Sequence, residues 1–207
     1  MITAIGDVMR KCYDRGWITT RDGNASLRRG GSKCVYITPS GARKNKIEVE
    51  SIIKMRVDAD GGLHAPDNVS GEIHMHWKLL MGADKTRCIL HVHPTHIVAA
   101  MYAGFDLATI AADFPEIYRY TKVGPNVPNL PATSQELGDV TFLALKGASD
   151  LDGPDLSFDI VGQANHGVCA VGANPWAAYE HIERLDHICE IVLKSGVKPK
   201  SNDLLHF

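Results

Sequence analysis

The chain has 207 residues, 44% apolar and 22% charged, which excludes a disordered, collagen-like or low-complexity protein and leaves enough material for a sizeable core. Lys and Arg total 22 against 24 Asp and Glu, a net charge of −2 without a basic run, so a sequence-independent, charge-driven grip on nucleic acid is not expected. No apolar run approaches the roughly 20 residues that span a bilayer, and the first residues lack the features of a secretion signal.

Five widely spaced cysteines (Cys12, Cys34, Cys88, Cys169, Cys189) contain no Cys-x-x-Cys pair. They fit a reducing, cytoplasmic setting better than a disulfide framework, and each reads as a small buried hydrophobe. Along the chain, Ile5, Val8, Met9 and Cys12 recur at helical spacing within 3–15, and Gly16 is a stop signal. Strands are expected at 25–28, 34–38 and 52–57, with turns at Gly30–Ser32 and Asp60–Gly62. A helix begins at Ser70 and runs to about Leu80, 86–92 reads as a strand, and 95–103 returns to helix. Four prolines between Pro115 and Pro131 predict an extended connection. A helix over 134–145, strands at 158–161 and 167–171, and a long helix over 175–193 follow, the last with Asn174 as cap and Pro175 in its first turn. Strands come in adjacent pairs as often as in βαβ alternation, so the expectation is a single α/β domain over 1–194 with a largely antiparallel sheet. A polar tail is expected over 195–207.

Ten histidines is a high count for this length. His91 and His93 in Leu90-His91-Val92-His93-Pro94 are two apart at a strand end, so both point to one face, where two imidazoles can grip a divalent ion. His166, in Asn165-His166-Gly167 between two expected strands, is the candidate third ligand of a catalytic site that keeps one position open. The His-x-His pair alone is also compatible with packing. His74 and His76 lie roughly 200° apart around a helix and cannot share a metal, which suggests solvent or interface contacts. His181 and His187, beside Glu180, Glu183, Asp186 and Glu190, suggest a solvated, salt-bridged face. His96 could support the site. Glu72 falls in the first turn of the helix begun by Ser70; it reads either as ordinary helix stabilisation or as a base taking a carbon-bound proton beside a metal. Gly23-Asn24-Ala25-Ser26, Thr38-Pro39-Ser40-Gly41 and Ser70-Gly71 pair small polar side chains with glycine, the make-up of an oxyanion pocket. No nucleotide-binding fingerprint is present.

This ordered set, from Gly23-Asn24-x-Ser26 through Ser70-x-Glu72 and His91-x-His93 to His166-Gly167, resembles the class II aldolase/adducin family, and within it the L-fuculose-phosphate aldolase branch. The resemblance implies an αβα sandwich on a mainly antiparallel sheet, in a homotetramer with active sites between subunits. It implies Zn2+, or another divalent ion, on His91, His93 and His166. Glu72 would be a further ligand at rest and the base during turnover. A sugar-phosphate substrate would place its phosphate against Asn24, Ser40, Gly41, Ser70 and Gly71. The implied reaction cleaves a ketose 1-phosphate to dihydroxyacetone phosphate and an aldehyde through a metal-stabilised enediolate, with Tyr118 or the nearby Tyr120 protonating the aldehyde-derived oxygen. The family's serine pair before the glutamate is Ser70-Gly71 here, Asn165 stands where a histidine often precedes the last ligand, and Lys44 adds a cation near the phosphate. The stretch from Ala111 to Ala132 is unlike known members. An aspartate usual in ribulose-phosphate epimerases is absent at Glu72, whereas sugar-acid phosphate decarboxylases, methylthioribulose-phosphate dehydratases and a metal-free adducin-like module remain alternatives.

Overall fold

The computed structural model describes residues 2–29, 33–58, 62–83, 85–147 and 155–198. The expected Gly30–Ser32 turn, the Asp60-Gly61 step and residues 199–207 of the tail lie outside the described residues. Strands β1 (Asn24–Arg28), β2 (Cys34–Ile37), β3 (Ile53–Arg56), β4 (Cys88–Val92), β5 (Ile160–Gln163) and β6 (Gly167–Gly172) form one open sheet in the order β3-β2-β1-β4-β6-β5. Every neighbouring pair is antiparallel. Helices α1 (Thr3–Asp14), α2 (Ile73–Gly82), α3 (Thr95–Tyr102), α4 (Leu107–Ala112), α5 (Pro115–Tyr120), α6 (Gln135–Lys146) and α7 (Pro175–Ser195) flank it.

The two-residue alternation of the strands divides the core into two layers. Ala25, Leu27, Leu90, Val92, Val168 and Ala170 pack with residues of α1, α3, α4 and α7 on one face. Val35, Ile37, Ile89, Cys169 and Val171 pack with α2 and α6 on the other. The expected αβα sandwich with an antiparallel sheet is therefore the observed fold. The same alternation carries Asn24 and Ser26 of β1 and His91 of β4 away from the first core, and Asn24 stands directly opposite His91 in the register. A polar cluster is thus set into the α2 side of the sheet.

Three local expectations are corrected. The extended connection begins only at Thr121, because Pro115 occupies the first turn of α5, where its missing N–H costs no hydrogen bond. Helix α2 begins at Ile73, so Glu72 is its N-cap and not a first-turn residue; its side chain makes no capping bond and is turned toward the sheet. Asp186 is buried on α7 and not part of a solvated face. It lies with Ile182, Leu185 and Cys189 on the stripe that meets the sheet. The cap at Asn174 forms as expected, its side chain accepting from Ala177 N–H at 3.0 Å. No described helix is long and apolar enough to cross a membrane.

Candidate metal and catalytic site

Three imidazoles from two parts of the chain meet at one end of the central strands. His91 is the penultimate residue of β4, His93 follows the strand, and His166 stands in the turn between β5 and β6. Their ring centroids are 4.9, 4.7 and 5.1 Å apart in the three pairs. One ligand nitrogen from each lies within 4.8 Å of the others. The turn that presents His166 closes with its N–H donating to Gln163 C=O at 3.0 Å and needs a left-handed residue at Asn165 (φ 57°), a conformation asparagine tolerates. Gly167 is required beside it: a Cβ there would stand 2.6 Å from the His93 ring. Gly23 (φ +68°) is required on the other side, since a Cβ would stand 3.0 Å from the His91 carbonyl.

Hydrogen bonds decide which nitrogens face inward. His91 Nδ1 lies 2.9 Å from the Val168 carbonyl, an acceptor only, so Nδ1 carries hydrogen and Nε2 is the nitrogen turned into the cluster. That Nε2 lies 3.0 Å from His93 Nε2 and 3.2 Å from Glu72 Oε2. Glu72 Oε1 lies 3.7 Å from His166 Nε2, and Glu72 Oε1 and His166 Nδ1 are both buried without a hydrogen-bond partner. Burial pushes the His93 pKa down to about 3, with His91 and His166 adding to it, and burial likewise lowers His166. Burial pushes the Glu72 carboxyl up, but His91, the Asn24 amide and His166 outweigh it and hold Glu72 below the usual carboxylate range. Three ring nitrogens and a carboxylate converge on one point, and Glu72 Oε1 and His166 Nδ1 have no hydrogen-bond partner there, a donor set suited to a cation. Nitrogen donors in this arrangement fit a divalent cation such as zinc with an open coordination position.

Behind Glu72 lies a buried polar row that sequence reasoning missed. Asn24 Nδ2 donates to Glu72 Oε2 at 2.7 Å, Asn24 Oδ1 contacts His76 Nε2, and His76 Nδ1 lies 2.6 Å from Ser26 Oγ. His76 is fully buried, against the solvent or interface contact expected of it, and burial drives its pKa to about 3. The signal was available: His76 shares the stripe of Ile73, Leu79 and Leu80, whereas His74 is exposed.

In front of the cluster a cavity of about 210 Å³ is lined by Asn24, Ser40, Gly41, Ser70 and Gly71, together with Glu72, His93 and His166. All five residues of the expected oxyanion cradle therefore border one space, although the side-chain amide of Asn24 is engaged by Glu72 and His76. Arg21 and Thr133, not singled out from sequence, line it as well. Thr133 has φ 65°, a strained value for a β-branched residue, and its methyl would meet a Cβ at Gly71 at 3.0 Å. Lys44 borders the cavity from a buried position and donates to the Arg21 and Ala42 carbonyls at 3.0 and 3.1 Å; burial lowers its pKa, opposed by Asp22.

Tyr118 is not brought to the imidazoles within the chain. It is 81% exposed on α5 and borders a separate hollow with Ala111 and Val123. Tyr120 is half exposed and faces the guanidinium of Arg184, 5.6 Å from its ring. Tyr102, 80% exposed on α3, shares a cavity with His93 and His166. His96 turns away from the cluster to Asp186, 3.1 Å from its Nδ1.

Residues 3–193 match the model of the family described as Class II Aldolase and Adducin N-terminal domain. The chain is 24% identical over 190 residues to an L-fuculose phosphate aldolase of Methanococcus maripaludis, covering 92% of this chain and 94% of that one. It is 25% identical to a 3-oxo-tetronate 4-phosphate decarboxylase of Haemophilus influenzae (88% and 81% covered) and 22% identical to a methylthioribulose-1-phosphate dehydratase of Persephonella marina (91% and 87%). Among solved structures, L-fuculose-1-phosphate aldolase from Thermus thermophilus superposes with a TM-score of 0.73 at 22% identity, over 95% of this chain and 96% of that one.

Proposed function

The chain belongs to the class II aldolase and adducin family, and from that premise we propose that it is a zinc-dependent aldolase cleaving a ketose 1-phosphate, of the fuculose 1-phosphate kind, to dihydroxyacetone phosphate and an aldehyde. The observation that carries this reading is the convergence of His91, His93 and His166 on one point with the Glu72 carboxylate beside them.

A divalent cation bound there supplies Lewis-acid stabilisation of the negative charge that develops on adjacent substrate oxygens. The chain's own residues do the rest. Glu72, held ionised by its neighbours, takes a carbon-bound proton in the condensation direction and returns it after cleavage. Ser40, Gly41, Ser70 and Gly71, with the edge of Asn24, receive the phosphate, and Lys44 and Arg21 add positive charge along the same wall. Tyr118, exposed and remote within its own chain, reaches the site of a neighbouring subunit in a homotetramer and delivers a proton to the aldehyde-derived oxygen. A cytoplasmic setting suits cysteines among which no disulfide is formed.

The test is to incubate the zinc-loaded protein with a panel of ketose, sugar-acid and thiosugar phosphates. Dihydroxyacetone phosphate appearing from a ketose 1-phosphate is the expected result. Carbon dioxide from a 3-oxo acid phosphate, or loss of water from a methylthioribulose phosphate, would replace the aldolase reading with the activities named for two of the relatives. Less than one equivalent of metal after reloading would favour an adducin-like interaction module.

A further inference from the structure

We propose that His76 is a positioning residue, the pivot of a one-directional hydrogen-bond relay, Ser26 to His76 to Asn24 to Glu72, that fixes the carboxylate for proton transfer. The direction follows from the partners. The Asn24 amide nitrogen lies 2.7 Å from Glu72 Oε2 and donates to it. Asn24 Oδ1 then faces His76 Nε2, which must carry the hydrogen. A neutral ring has one N–H, so Nδ1 accepts from the Ser26 hydroxyl at 2.6 Å. Each donor points toward Glu72, and each bond polarises the next.

Burial makes this arrangement exclusive. Ser26 and His76 have no solvent exposure, and Asn24 and Glu72 are 8% exposed, so water cannot substitute for a lost partner. The relay ties Glu72 Oε2 to the sheet and leaves Oε1, which has no hydrogen-bond partner, turned toward His166 and the cavity. It also assigns Asn24 a function besides bordering the cavity: its amide is the clamp on the carboxylate. Two sequence features are thereby joined, the Asn24-x-Ser26 alternation of β1 and the four-residue step from Glu72 to His76 on α2. The inference uses the reading of Glu72 as base only for its activity arm.

The experiment compares wild type with His76→Gln, whose amide can donate to Asn24 and accept from Ser26, and His76→Phe, which can do neither. In metal-free protein, imidazole 15N NMR is expected to show His76 as the neutral Nε2–H tautomer; the Nδ1–H tautomer or a charged ring overturns the proposal. With zinc bound, the rate of deuterium uptake from D2O into dihydroxyacetone phosphate is expected to stay within about threefold of wild type for His76→Gln. For His76→Phe it should fall about 10- to 100-fold at unchanged metal content, with the loss in kcat and not in KM. A folded, zinc-loaded His76→Phe protein at wild-type rate overturns it. If wild type exchanges no deuterium, the aldolase reading fails and the tautomer measurement decides the relay alone. If His76→Phe does not fold, His76→Gln decides the activity arm, a loss of rate there counting against the proposal.

Discussion

Glu72 and His93 have different duties in the proposed site, and single substitutions separate them. Glu72→Gln keeps the volume and a hydrogen bond to Asn24 but cannot hold a proton, so metal content should stay near one equivalent while turnover falls by about a hundredfold or more. Near-normal turnover, measured with metal analysis on the same sample, would remove Glu72 as the base. His93→Ala deletes one of three nitrogen donors, and zinc and activity should be lost together; tight zinc retained in dialysis against a chelator would show that other residues hold it. The ligand candidates were legible from the sequence because His-x-His at a strand end fixes two side chains on one face, and because a histidine in a turn has no packing reason to be there. His76 and Thr133 were not. The first looked like one of two histidines on opposite helix faces, and its partners, Ser26 and Asn24, lie about fifty positions earlier. The second stands out only through its backbone angle, which a sequence does not display.

At the scale of elements, the strands and long helices followed their periodicity, and the differences arose where tertiary contacts replace local ones. Helix α3 starts at Thr95 after Pro94, with no side-chain cap of its own. Its first free N–H groups are taken by Asp186 of α7: Oδ1 accepts from His96 and Ile97 N–H at 3.2 and 3.3 Å, and Oδ2 accepts from the Trp17 indole at 3.1 Å. One carboxylate thus caps a helix from a distance and pins Trp17, whose carbonyl in turn accepts from His93 N–H at 3.0 Å. A neighbouring row of acidic residues suggested solvent; the i, i+3, i+4, i+7 stripe through Ile182, Leu185, Asp186 and Cys189 was the better signal. Asp186→Ala should lower unfolding free energy by about 2–3 kcal/mol, since it removes the acceptor of two backbone N–H groups, the Trp17 indole and the His96 ring. Urea denaturation of the metal-free protein measures it, and a change below about 0.5 kcal/mol would mean water takes over the cap.

Stability of the whole chain should depend on pH through the same buried imidazoles. The folded-state pKa of His76 and of His93 is about 3, below the ordinary 6.5, so both are neutral when folded. Unfolding then takes up protons wherever the pH is below 6.5. The stabilisation is complete above that value and is lost as the pH falls toward 3. Glu72, also depressed, adds a loss of the same sign at lower pH. Metal-free protein should therefore lose stability steadily from pH 6.5 downward, by up to about 1.4 kcal/mol per pH unit for each proton taken up. Urea melts at pH 7, 6 and 5 in chelator should show this slope, smaller by about one proton in His76→Gln; a flat profile would mean that the imidazoles are charged in the folded state.

The exposed Tyr118 raises the question of assembly, which one chain answers only by what it leaves incomplete. The imidazoles, Glu72 and the proposed phosphate cradle are all present within the chain, while the proposed acid points into solvent on α5. If the protein is the proposed homotetramer and each site takes Glu72 from one subunit and Tyr118 from the next, then Glu72→Gln and Tyr118→Phe proteins, each inactive alone, should recover activity when unfolded and refolded together. With random mixing in equal amounts, a site is complete when its first subunit carries Glu72 and its neighbour carries Tyr118, which gives about one quarter of wild-type activity in a closed ring. Each exchange interface is heterologous, so the same rule holds around the whole ring. If both residues served the site of their own chain, every site in the mixture would lack one of them. Activity at the level of the separate mutants would then exclude Tyr118 as a donor across the interface and turn attention to Tyr102, which borders His93 and His166 from its own subunit.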